Sequence, residues 1–156
     1  MIISDASPLI VLLKTNKLSI LKELFQKIII PEAVHKEITA KEHEKTIFNK
    51  IEWIETRKIR NTDLTTLLEK LIDRGEAEAI VLAKELKATL LIDDAKARKY
   101  AKLLNINIIG TLGLLKIAKN RGLIPSAKKT IDGMLAEGYY IEDKLIKTLL
   151  KDVGES

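Results

Sequence analysis

Cysteine is absent from the 156 residues. That excludes disulfides, thiolate zinc sites and cysteine nucleophiles together, and it fits a reducing cytoplasm. Glycine and proline number only 7 and 3, and no linker, repeat or low-complexity segment breaks the chain. Aromatics make up 4%, so Trp53, Tyr100, Tyr139 and Tyr140 read as scattered packing residues before they read as base-stacking platforms. No apolar run approaches the ~20 residues that span a bilayer. The opening MIISDASPL has no basic region and meets an acid at once, unlike a secretory leader. The expectation is a cytoplasmic protein with no membrane segment. Phosphate-cradling loops are missing too: GTLGLL, at Gly110–Leu115, lacks both the lysine of a P-loop and the third glycine of a dinucleotide fingerprint. HKE, at His35–Glu37, matches half of the zinc-deaminase signature, but the cysteine half cannot exist here.

What is present describes a folded domain. Hydrophobic residues reach 46% and charged residues 31%, and the length suits one domain over residues 1–156. The net charge of +5 favours polyanionic partners, nucleic acid above all, although many of the lysines serve to solvate helix faces. Short apolar runs alternate with longer amphipathic ones, which predicts an α/β, three-layer αβα architecture around a mostly parallel sheet of four to five strands. The expected strands are Ile2–Asp5, Ile28–Ile30, an edge strand in IEWIE around Trp53, Thr89–Asp93 and Ile106–Ile109. Helices are expected between them, with Ser7 as a cap before Pro8 and Thr62 as a cap before DLTTLLEKLI. From about residue 126 the remaining helices are expected to pack on the domain or extend it, through a stripe of Ile141, Leu145, Ile146 and Leu149. That stripe could instead make a dimer contact.

In open parallel sheets, functional groups gather beyond the carboxyl ends of the strands. Several acids fall there. Asp5 ends the first strand, and with Ser7 available as the cap it is free for another task. Glu37 borders the apolar stripe of Ala33, Val34 and Ile38. Asp73 and Glu76 form a capping-box pattern, while Glu76 and Glu78 point about 200° apart on a helix, so one local site would not use both equally. Glu76 shares its side with Ala79, Ile80 and Ala83 and is preferred, with Glu78 in reserve. Asp93 and Asp94 close the set; one can cap the next helix while the other faces the site. Clustered carboxylates need a compensating cation. All-oxygen donors without histidine or cysteine suit Mg²⁺ or Mn²⁺, the ions of phosphodiester hydrolysis.

In that order and placement, IISDASPLI, PEAVHKEI, GEAEAIVLA and LLIDDAKAR resemble the acid motifs of PIN-domain nucleases, a family that includes the toxin ribonucleases of toxin–antitoxin pairs. GTLGLLKIAKNRGLI resembles a subgroup of short prokaryotic PIN-like proteins. The resemblance implies a catalytic, metal-holding set of Asp5, Glu37, Glu76 and Asp94, with Asp93 fitting the last position equally well and Ser7 as a supporting hydroxyl. It departs from the pattern at Glu76, where aspartate is commoner. It further implies cleavage of single-stranded RNA, Mg²⁺ or Mn²⁺ as cofactor, a homodimer and an antitoxin partner. The competing reading is a non-catalytic PIN-like module that binds RNA or protein.

Overall fold

The apolar runs become five short strands in the computed structural model, which describes residues 1–156: β1 (Ile2–Ser4), β2 (Ile28–Pro31), β3 (Ile54–Arg57), β4 (Thr89–Leu91) and β5 (Ile108–Ile109). All pair in parallel, in the order β3-β2-β1-β4-β5. Parallel strands are covered on both faces, and Ile3, Ile28, Ile30, Leu90 and Leu91 are accordingly sealed from solvent. Edge strand β3, by contrast, is only half-buried.

Ten helices flank the sheet in a three-layer arrangement: α1 (Ala6–Lys14), α2 (Ser19–Phe25), α3 (Glu32–Ile38), α4 (Glu42–Phe48), α5 (Thr62–Glu69), α6 (Arg74–Leu86), α7 (Ala95–Leu103), α8 (Thr111–Asn120), α9 (Ala127–Ala136) and α10 (Asp143–Asp152). None is long and apolar enough to cross a membrane. Helix α6 lies against β1, β2 and β4 and also meets α3 and α5. It is buried from Ala77 through Ala83, Glu78 included, so no amphipathic stripe separates Glu76 from Glu78 as the sequence suggested. One apolar cluster of 38 residues runs from Ile2 to Leu149. Helix α10 meets α8 and α9 and buries Leu149, whereas Leu145 of the same stripe remains 51% exposed.

Several ends differ from expectation. Strand β1 stops at Ser4 and β4 at Leu91, which leaves Asp5, Asp93 and Asp94 in the loops beyond. Ser7 is not a cap but lies inside α1; Asp5 takes the N-cap position, and its side chain makes no cap hydrogen bond. Asn61, not Thr62, caps α5 by accepting from the Leu64 amide at 3.0 Å.

Three helix starts are completed by glutamates from elsewhere in the chain. Glu78 accepts from the Ala33 amide at 3.0 Å in the first turn of α3. Glu85 accepts from the Arg60 and Asn61 amides just ahead of α5. Glu155 accepts from the Ala127 amide and the Ser126 hydroxyl, both at 2.8 Å, at the start of α9. A carboxylate meets both the orphan amides of a first turn and the positive end of the helix dipole. Those amides hold the Glu155 carboxyl down at about 2.

Candidate active site

From β1 the chain steps to β2 and β3 on one side, then returns to place β4 on the other. Loops leaving β1 and β4 therefore diverge, and the crevice between them is where such sheets bind ligands. Asp5 leaves β1 there, and Asp93 and Asp94 leave β4. Glu37 approaches from α3, and Asp73 and Glu76 from the start of α6.

These acids share one electrostatic field. Asp5 is 5% exposed. Its burial, with the charges of Glu76, Asp73 and Glu37, pushes its carboxyl up to about 7 against the pull of the Ala6 amide. Glu76 is also pushed up to about 7, by burial first and then by Asp73 and Asp94, while the Asp73 amide pulls the other way. Glu37 is exposed as a residue, yet desolvation of its carboxyl and the Asp73 charge raise it as well. Its reach depends on Gly75: a Cβ there would sit 2.0 Å from Glu37 Oε1. The bare backbone of α6 is what lets Glu37 lean over the helix start.

Two sequence alternatives thus separate in space. Glu76 both closes the capping box (Asp73 Oδ1 accepts from its amide at 2.8 Å) and belongs to the acid group. Glu78 does not join it; its carboxylate is taken up by α3 and by Arg74 at 3.3 Å. The adjacent aspartates diverge as extended chain requires. Asp94 caps α7, accepting from the Ala97 amide at 2.9 Å, and its charge acts on Glu76. Asp93 turns toward α8, where it accepts from the Thr111 amide at 2.7 Å, from the Thr111 hydroxyl and from the Tyr139 hydroxyl. Burial and the charges of Asp93 and Asp5 drive Tyr139 above the ordinary phenol range, so it stays a neutral donor. A cavity of about 520 Å³ links Asp5, Asp93, Asp94, Thr111, Tyr139 and Tyr140, with exposed Ser7, which makes no hydrogen bond, at its edge.

Sequence reasoning missed three participants. Asp73 was legible only as a cap, and Thr111 and Tyr139 carry no local signal because their partner lies 18 and 46 residues away. Gly75 was the available clue to Glu37, since glycine in a first helical turn marks a close approach.

The donors present are carboxylate oxygens, the set that hard divalent cations take. Burial and mutual repulsion raise Asp5 and Glu76, and no lysine or arginine in the group offsets that repulsion. In kind, the residues fit such an ion. In position, no three of them converge closely enough to form a ligand group, and Asp73 and Asp94 each give one oxygen to a helix amide.

No curated protein matches the chain. A family model described as a PIN domain matches residues 1–155. That family is generally one of nucleases, and its members typically use divalent metals. Since the match takes in all five strands and every acid of the crevice, the chain belongs to the PIN-domain family.

Proposed function

We propose that the protein is a metal-dependent endoribonuclease that hydrolyses phosphodiester bonds of single-stranded RNA. One observation carries the reading: buried Asp5 and half-buried Glu76, both held near 7, sit in a shared field with Glu37 and Asp94 at the switch point of the sheet. A fold keeps such mutually repelling carboxyls only where something else benefits, because each raises the free energy of the empty protein. Asp5, Glu37, Glu76 and Asp94 would hold Mg²⁺ or Mn²⁺, with Asp93 fixed behind them by Thr111 and Tyr139. Bound there, such an ion polarises a phosphoryl oxygen and helps ionise a water. With Asp5 and Glu76 raised toward neutral pH, a cation held there would displace protons from them, so occupancy would be proton-linked. Glu37, leaning over Gly75, borders the acid group from the α3 side.

The same reading includes an antitoxin partner and a homodimer, which family resemblance alone supports, and a cytoplasmic setting, which rests on the absence of cysteine. A second reading, a PIN-like module that binds RNA or protein without cutting, draws on the lack of three converging acids.

Two measurements separate them. On the nuclease reading, Mn²⁺ should raise the melting temperature of the wild type but not of Asp5→Asn, and the wild type should cleave single-stranded RNA with Mn²⁺ while Asp5→Asn should not. RNA binding with neither metal effect nor cleavage would leave the non-catalytic module standing.

A further inference from the structure

A second depression opens beside the acid cavity. It encloses about 980 Å³ between α7, β5, α8 and α10. The two are continuous, sharing Asp93, Ala95, Leu112 and Leu145 on their walls. Their characters differ. The acid cavity is anionic, whereas the groove is lined by Arg98, Lys99, Lys102 and Lys116 against two aspartates, Asp93 and Asp152. Lys116 leans on Asp152 at 3.4 Å, and Arg98 donates to the Ile92 carbonyl at 2.9 Å. Lys99 and Lys102 are exposed on successive turns of α7 and have no ion-pair partner in the fold.

Large apolar surfaces accompany these charges. Leu103 is 68% and Leu145 51% exposed along the groove. At the rim of the acid cavity stands Tyr140, 86% exposed, beside a Tyr139 that is drawn inward. An aromatic left almost wholly in water costs the fold its burial energy.

We infer that an unpaired nucleic-acid strand runs from Tyr140, across the acid cavity, into the groove, with a base stacked on Tyr140 and its phosphates against Lys99 and Lys102. The inference rests on the phosphodiester-cleaving reading and adds the path of the strand. Free ammonium groups beside exposed apolar surface match a chain that alternates phosphates with bases. A duplex hides the base faces that Tyr140 would meet. An acidic protein segment would satisfy the lysines equally, but it offers Tyr140 no base face and has no cause to continue into the acid cavity. A strand whose phosphodiester is to be cut must pass there.

The test is fluorescence anisotropy of a labelled oligouridylate in EDTA, so that binding is read without cleavage. Relative to wild type, Lys99→Glu/Lys102→Glu is expected to weaken binding by at least tenfold. It should also flatten the log K against log salt slope by about 1.4, from two phosphate contacts at about 0.7 each. Tyr140→Ala is expected to weaken binding about tenfold, within the ~5–150-fold span of one base–aromatic stack. Lys22→Glu/Lys50→Glu, with the same charge change on exposed sites outside the groove, should leave affinity nearly unchanged. Groove variants that behave like this control, a wild type that does not bind, or polyglutamate binding as tightly as the oligonucleotide with Tyr140→Ala silent would each overturn the inference. A parallel cleavage assay with Mn²⁺ keeps the two readings apart. Groove-dependent binding without cleavage ends the nuclease reading and leaves the track. Cleavage that the groove variants match ends the track and leaves the nuclease.

Discussion

Gly75→Ala separates site geometry from stability, because the two respond in opposite directions. Gly75 is the second residue of α6, buried, and its φ lies outside the left-handed region. Alanine in a helix is worth up to about 0.5–1 kcal/mol over glycine. For a domain of this size that raises the melting temperature by about 2–4 °C at most. The new methyl would stand 2.0 Å from Glu37 Oε1 and 3.0 Å from Glu37 Cδ. Ordinary contact needs about 3.5 Å, so the carboxyl must retreat by roughly 1.5 Å. Retreat is cheap, since the obstructing atoms end a flexible side chain. Fold stability should therefore hold or rise slightly. Function should not, because a displacement of ~1 Å at a reacting centre costs on the order of 100-fold in rate. Thermal melting beside a single-stranded RNA cleavage assay in Mn²⁺ reads both. Full activity with an unchanged Mn²⁺ stabilisation would refute the role given to Glu37, and a large loss of stability would refute the claim that only its tip obstructs.

Two further outcomes follow from the same crevice. Asp5 and Glu76 have folded values near 7, above those of the unfolded chain, so the native state binds extra protons between about pH 4 and 7. Their contribution is complete below that window and lost as pH rises through it, on the order of 4 kcal/mol at most for Asp5, whose ordinary value is 3.8. Metal-free protein should melt higher at pH 5 than at pH 7.5, with the difference reduced in Asp5→Asn; a pH-independent melting temperature would contradict the burial argument. Glu78→Ala leaves the Ala33 amide unpaired and should lower stability by about 2 kcal/mol, or roughly 4–8 °C. Its Mn²⁺ stabilisation should persist, and loss of that stabilisation would bring Glu78 from reserve into the metal-holding group.

What could be read from the chain follows the range of the interaction. IIIP and TLL are continuous apolar runs because both faces of a parallel strand are covered, and that property is local. The alternation of strand and helix therefore gave the architecture, and the strand-end rule located Asp5 and the Asp93–Asp94 pair. Local rules failed where two candidates competed for one duty. Ser7 before Pro8 satisfies the capping preference, yet the helix begins two residues earlier and Asp5 takes the position. Glu76 and Glu78 differ by a helical angle that decides nothing on a helix buried all round; their fates are set by Asp73 on one side and Ala33 on the other. Tyr139 was indistinguishable from any packing aromatic, since Asp93 lies 46 residues before it.

The glutamates that finish distant helix starts bear on how this chain acquires order. A helix of seven residues, as α3 is, sits well below the ~12–15 that persist alone in water. The carboxylate that completes its first turn arrives 45 residues later, and the one for α9 comes from 28 residues away. For α3 and α9, coiling is then coupled to docking. Severed between α4 and α5, the polypeptide would leave its first piece without the anion that completes α3, and that helix would order only on mixing with the second.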